Sequence, residues 1–281
     1  MKKNFFLFFS TLFFTCVLFA NPSTITHLAV FGDSLSDHGS SKYGGFNRYS
    51  NGPVWPDIVS KSLCNGCLHD YAWGGAKSGD SNYNGFHWSG LRWQIEHYQS
   101  DTPLDKTLFI IWIGVNDLIN GDGKSEVTAN NIMNAIDKLA SGGAKNIIVL
   151  NLPDFTLVPA YNNPNLADYK TFSPLKNQVR MSITNFNKLL SKLIINKNHD
   201  YEKNNKGIHL DLIDVSQLFS DLVDEHYFKN ITDPWLGTYQ YPDEHGYMWW
   251  DAWHPMTTVH KQIAELVMKN ISDKYVFSKA C

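Results

Sequence analysis

The sequence predicts an α/β fold, with a mainly parallel sheet and helices on both faces. Two observations carry this reading. Strand-type and helix-type segments alternate after residue 25, which requires crossover connections between parallel strands. Two strand-type segments, TLFIIWIGV (107–115) and NIIVLNL (146–152), are continuous apolar runs. They lack the polar alternation of a half-solvated sheet, as suits strands covered on both faces. No internal repeat, low-complexity tract or linker interrupts the pattern, so one domain is expected over residues 21–281.

Residues 1–20 stand outside that fold. Lys2 and Lys3 precede an apolar run from Phe5 to Phe19 closed by Ala20, the basic, apolar and small-residue regions of a secretory signal peptide. A membrane anchor competes with this reading, but the run of about 15 residues is short of the ~20 a helix needs to cross a bilayer. Lipidation at Cys16 is a weaker alternative, given Thr15 after two phenylalanines. An exported protein, secreted or periplasmic, is expected.

THLAVF (26–31) then reads as the first strand and PVWPDIVSKSL (53–63) as a short helix. LHDYAW (68–73) reads as the second strand, ending in Gly74-Gly75, and LRWQIEHYQ (91–99) as a helix. The run 107–115 is the third strand. Ser125 is an N-cap type, and Val127, Ile132, Ile136 and Leu139 form a helical stripe that stops at Gly142-Gly143. Residues 146–152 are the fourth strand. Leu175, Val179, Phe186, Leu189, Leu190 and Leu193 share one face of a helix over 174–197, with Pro174 near its start. IHLDLIDV (208–215) alternates as a strand, and a last helix runs from about Val259 to Ile271.

The formal charge of −3 becomes −5 when Lys2 and Lys3 leave with the leader. Such mild acidity argues against a nucleic-acid surface, which needs clustered Lys and Arg. Cys64, Cys67 and Cys281 remain. CNGC is open to three readings: a redox pair, half of a zinc site completed by His69 and Cys281, or a structural disulfide. Asn65-Gly66 looks like a turn rather than the opening of a helix, and structural zinc needs four ligands, so a Cys64–Cys67 disulfide is favoured for an oxidising compartment.

In parallel sheets ligands bind beyond the carboxyl ends of the strands. That rule places Ser34, Gly75 and Asn116, after the first, second and third strands, on one rim. A serine needs a base within hydrogen-bond reach, a group orienting the base, and donors for the developing oxyanion. WWDAWHPM (249–256) offers His254 as base and Asp251, three residues earlier, to fix its tautomer. Asn116 offers a side-chain amide, Gly75 a backbone N–H, and Ser34 its own N–H at the start of a helix. Singly, each element has an ordinary reading: a strand-to-helix turn at GDS, a tight turn at Gly74-Gly75, a cap at Asn116, a loop histidine beside a capping aspartate.

The combination, in order, resembles the GDSL or SGNH hydrolase family through FGDSLSDHG (31–39), YAWGGA (71–76), GVND (114–117) and DAWHP (251–255). RYSNGPVW (48–55) and YMWWDAWHP (247–255) look like its secreted lipase branch, which includes lysophospholipases, phospholipases A and glycerophospholipid–cholesterol acyltransferases. The resemblance implies a three-layer α/β/α, flavodoxin-like fold. It implies Ser34 as nucleophile, His254 as base and then acid, Asp251 as its orienting partner, and Ser34, Gly75 and Asn116 as the oxyanion hole, with no cofactor and no metal. Asp33 and Asp37 are expected in turn and capping roles. Met256 after HP and His38 near the nucleophile depart from the common threonines.

The resemblance implies cleavage of fatty acyl esters of (lyso)phospholipids through an acyl-enzyme, with acyl transfer to a sterol when an alcohol outcompetes water. The alternatives are a carbohydrate acetyl esterase with the same triad, or a catalytically silent lipid- or glycan-binding module. The aromatic stretch 225–250 reads either as packed side chains or as a wall over an acyl pocket, with Trp249, Trp250 and Trp253 as substrate contacts. The expected partners are a lipid ester, a transient membrane or micelle surface, and an activating protease that cuts within 225–250.

Overall fold

The computed structural model describes residues 23–99, 102–121, 124–236 and 246–278. The leader at 1–20, Cys281, and Tyr239 and Tyr241 of the aromatic stretch lie outside the described residues. In chain order the elements are β1 (Ser23–Ile25), β2 (His27–Gly32), α1 (Trp55–Leu63), β3 (Leu68–Asp70), α2 (Leu91–Glu96), β4 (Thr107–Trp112), α3 (Val115–Leu118), α4 (Ser125–Gly142) and β5 (Asn146–Leu150). There follow α5 (Pro159–Asn162), α6 (Tyr169–Phe172), α7 (Lys176–Lys203), β6 (His209–Ile213), α8 (Val215–Asp224), β7 (Asn230–Pro234), β8 (Tyr247–Trp249), α9 (Thr257–Ile271) and β9 (Tyr275–Phe277).

The central sheet has the order β3-β2-β4-β5-β6, and every neighbouring pair is parallel. Helix α1 packs on α9 and α9 on α8, while α4 packs on both α2 and α7. The helices thus divide into two layers with the sheet between them, the α/β/α arrangement expected. All six residues of β4 (TLFIIW) and all five of β5 (NIIVL) are buried, because a strand between two helix layers has no solvent face. Burying one such Ile or Leu side chain contributes about 1.5–3 kcal/mol relative to leaving it in water.

The third strand stops at Trp112 rather than 115. Gly114 takes φ +123°, which a side chain rarely tolerates, and the chain turns there into α3. Helix α7 extends beyond the predicted residue 197 to Lys203, its polar tail anchored by Tyr201, which is buried. Residues 214–215 end no strand but open α8: Asp214 Oδ1 accepts the Gln217 N–H at 3.0 Å, an N-cap. The pairs β1–β9 and β7–β8 have no sequence signature, because strands of three to five residues show no period. Cys64 and Cys67 have their Cα atoms 5.7 Å apart and their sulfurs at bonding distance, across the Asn65-Gly66 turn. Among the described residues no zinc set forms around His69, which stacks on Tyr43 with ring centres 4.2 Å apart.

Candidate active site

Strand β2 delivers Ser34. Gln94 clamps the strand end, accepting the Gly32 N–H at 2.9 Å and donating to Gly32 O at 2.7 Å. Next, Asp33 O accepts the N–H groups of Ser36 (3.0 Å) and Asp37 (2.9 Å), and Asp33 Oδ1 accepts the Leu35 N–H at 3.0 Å. The chain makes this single turn and then runs as loop to α1. The helix expected to begin at Ser34 does not form, so no helix dipole acts there; the turn alone aims the serine. Burial pushes the Asp33 carboxyl up to about 7, with the charges of Asp117 and Asp37 adding to the rise against the Leu35 N–H bond. Asp37 has the expected turn role: it accepts N–H groups from Gly39 (2.9 Å), Phe46 (2.9 Å) and Gly74 (2.8 Å), tying three loops together.

His254 comes from the loop between β8 and α9. Its Nε2 lies 2.9 Å from Ser34 Oγ, and its Nδ1 lies 2.9 Å from each Asp251 oxygen. Asp251 Oδ1 also accepts the N–H groups of Trp253 (2.8 Å) and His254 (2.7 Å). Burial works to raise the Asp251 carboxyl, but the His254 ring and these backbone donors outweigh it and hold the group below the usual carboxylate value. The segment RYSNGPVW braces this loop: Ser50 Oγ donates to Pro255 O at 3.0 Å, and Asn51 Oδ1 accepts the Thr257 N–H at 2.8 Å. The Tyr49 ring lies against His254, with centres 4.9 Å apart.

Gly75 follows β3 with φ +75°. A Cβ there would sit 2.6 Å from Asn82 Oδ1 and 2.9 Å from Asn84 Nδ2, so this turn requires glycine. Asn82 holds the turn by donating to Gly74 O at 2.7 Å, and the Tyr83 N–H donates to Gly75 O at 2.7 Å. Asn116 Nδ2 donates to Ala76 O at 3.0 Å, which uses one of its two amide hydrogens and leaves the other. Its neighbour Asp117 accepts from Ser78 N (2.9 Å) and Ser78 Oγ (2.8 Å), so the ends of β3 and β4 are fastened to each other.

Ser34, Gly75, Asn116 and His254 all line one cavity of about 270 Å³. Its other walls are Tyr49, Tyr83, Asn84, Val115, Ile119, Phe155, Asp168, Phe172 and Trp253. Of the three tryptophans expected to meet substrate, Trp253 lines this cavity. Trp249 does not: it is buried against Phe219, and its Nε1 donates to Ile231 O at 2.9 Å. Trp250 shapes the loop instead, its backbone N–H donating to His254 O at 2.8 Å. Phe228 and Tyr247 are buried too, so much of the described aromatic stretch is packing. No pattern in the sequence marks Phe155, Asp168 and Phe172, which lie in an aperiodic segment. A larger cleft of about 660 Å³ lies at the amino end of β6 and holds none of the four rim residues. Among the described residues, no group of three or more His, Cys, Asp or Glu is arranged to hold a metal ion.

A family model described as GDSL-like lipase/acylhydrolase matches residues 28–267. The chain belongs to this family. It is 28% identical to the thermolabile hemolysin of Vibrio parahaemolyticus over 287 aligned positions, covering 89% of this chain and 64% of that protein. It is 27% identical to the phosphatidylcholine-sterol acyltransferase of Aeromonas hydrophila, covering 60% of this chain and 56% of that one. The chain thus spans about three fifths of the length of these relatives. The fold is similar to that of an aryl esterase of M. smegmatis, with a TM-score of 0.55 at 12% identity, covering 89% of this chain and 99% of that one.

Proposed function

We propose that this GDSL family member is an exported serine ester hydrolase that cleaves fatty acyl esters of lysophospholipids and phospholipids through an acyl-enzyme. One observation carries the reading: the Ser34 hydroxyl, the His254 ring and the Asp251 carboxylate form a continuous hydrogen-bonded run with contacts of 2.9 Å, opening on a largely apolar cavity. Ser34 Oγ attacks the ester carbonyl while His254 Nε2 takes its proton. Asp251 keeps the remaining proton on Nδ1 and stabilises the imidazolium. The oxyanion is met by the N–H groups of Ser34 and Gly75 and by the free amide hydrogen of Asn116. His254 returns its proton to the leaving alcohol, and water, activated by the same ring, releases the fatty acid. A sterol hydroxyl in place of that water gives acyl transfer, the reaction named for the Aeromonas relative.

Residues 21–281 form the hydrolase domain in this reading, released to the exterior after loss of a leader at 1–20. Phe46, Tyr83 and Phe86 are each exposed by 37–42%, and Tyr83 also lines the cavity. The Phe46 and Phe86 rings lie 6.0 Å apart, and such exposed aromatic rings suit transient contact with a membrane or micelle surface. Processing within 225–250 belongs to the same proposal; intact mass of exported, fully active protein that shows one uncut species removes it.

The test is fatty acid release from lysophosphatidylcholine by the purified chain, with Ser34→Ala as control and acetate release from acetylated xylan as comparison. Fatty acid release abolished by Ser34→Ala is expected. Turnover retained in Ser34→Ala overturns the mechanism, and dominant acetate release overturns the lipid assignment.

A further inference from the structure

Away from the four rim residues the cavity wall is aromatic and, at Val115 and Ile119, aliphatic, with Asn84 and Asp168 as its polar members and Asp168 its one charged side chain. Phe172 meets Trp253 edge-on at 4.6 Å, and Phe155 and Tyr161 complete the cluster around the indole. Asp168 stands in this wall. A fatty acyl chain needs apolar surface alone, and a carboxylate beside it is costly to desolvate. The indole Nε1 of Trp253 donates to Asp168 Oδ2 at 2.8 Å, which serves one oxygen. Oδ1 has no side-chain partner among the described residues, and no Lys or Arg among them pairs with the group.

A carboxylate without a counter-ion, set among the rings of Tyr83, Phe172 and Trp253, matches one ligand chemistry. Ring faces attract a cation through their quadrupoles, and the carboxylate attracts it by charge. A quaternary ammonium has no N–H groups whose hydrogen bonds to water are lost on entering a ring-lined site, so it is the cation with least to lose there. The Lys77 ammonium lies 5.8 Å from the centre of the Tyr83 ring, which itself lines the cavity. We propose that Asp168, Tyr83 and Trp253 form a quaternary-ammonium subsite that receives the choline end of a zwitterionic lipid headgroup, with Lys77 placed for its phosphate. The assignment rests on the lipid-ester reading above and adds a headgroup preference to it.

The test compares kcat/KM for lysophosphatidylcholine and lysophosphatidylglycerol of matched acyl chain, in the native chain and in Asp168→Asn. The asparagine oxygen can still accept the Trp253 N–H, so the change removes charge while keeping the bond. The native chain is expected to favour the choline lipid about tenfold, through KM, and the variant to bring the ratio near one. A native ratio near one, or a ratio unmoved by Asp168→Asn, overturns the subsite. A second measurement needs no turnover and no variant: saturation-transfer NMR of glycerophosphocholine with the native full chain. Transfer to the trimethylammonium protons, and none to glycerophosphoglycerol, supports the subsite even if neither lysolipid is cleaved, in which case the lipid-ester reading alone fails. Absence of transfer to the trimethylammonium protons overturns it.

Discussion

Replacing Asp251 by Asn isolates what the carboxylate does for His254. In the native site Asp251 Oδ1 serves two backbone N–H groups and the ring, whereas Oδ2 serves the ring alone. The asparagine oxygen therefore stays at the Oδ1 position, since the N–H groups of Trp253 and His254 both need an acceptor. The new NH₂ takes the Oδ2 position, 2.9 Å from Nδ1. Two donors cannot face each other at that distance, so the ring proton moves to Nε2 and Nδ1 becomes an acceptor. His254 then presents an N–H to Ser34 Oγ, which sits 2.9 Å away and needs a base. A triad with the wrong tautomer loses about 10⁴ in kcat, equivalent to about 5.5 kcal/mol of barrier. The assay is hydrolysis of p-nitrophenyl butyrate between pH 6 and 9, with circular dichroism to show that the fold is kept. A variant within tenfold of the native rate across that range would falsify the tautomer argument. Stability supplies a second readout. The folded carboxyl titrates below its ordinary value, so its contribution is present above about pH 4 and is lost as pH falls through the folded value. The Tm deficit of Asp251→Asn should shrink on going from pH 6 to pH 3.

Gly75→Ala places a Cβ against Asn82 Oδ1 at a φ of +75°. Displacement of its N–H should lower kcat by about 10²–10³ with a smaller change in KM; unaltered kcat removes Gly75 from the oxyanion hole. Asn116→Ala should cost a similar factor while Tm stays within a few degrees, and full activity in this variant excludes its amide as a donor. Burial pushes the Asp70 carboxyl up to about 8. The folded chain therefore keeps a proton that the unfolded chain releases between pH 4 and 8, so stability falls with rising pH across that window. The Tm of Asp70→Asn relative to the native chain should rise from pH 5 to pH 8, and an unchanging difference shows that Asp70 ionises freely in the fold. Phe46→Ala combined with Phe86→Ala should reduce cleavage of lysolipid in vesicles several-fold more than cleavage of a soluble p-nitrophenyl ester. Equal losses on both substrates argue against a surface-docking role.

The rim residues were legible because a parallel sheet leaves little freedom about where strand ends go. Once THLAVF and TLFIIWIGV are read as neighbouring parallel strands, Ser34 and Asn116 must emerge at the same edge, and the pairing of Gly32 with Trp112 puts them there. The DxxH spacing was equally legible, because three residues of loop suffice to fold a carboxylate onto the ring that follows it. What lay beyond reading was the wall facing these groups. Asp168 and Phe172 sit on a short helical turn between β5 and α7, and their roles follow from the placement of Trp253, some eighty residues later. No periodicity links those positions. The same limit explains Trp249 and Trp253, which share a motif and a residue type. The four-residue offset turns one into the core beneath Phe219 and the other into the cavity. Local pattern thus marks the candidate catalytic groups that a sheet edge gathers, whereas the cavity wall facing them is written in contacts between segments far apart in the chain. For that reason the headgroup experiment on Asp168 bears on specificity in a way that no change to the four sequence blocks can.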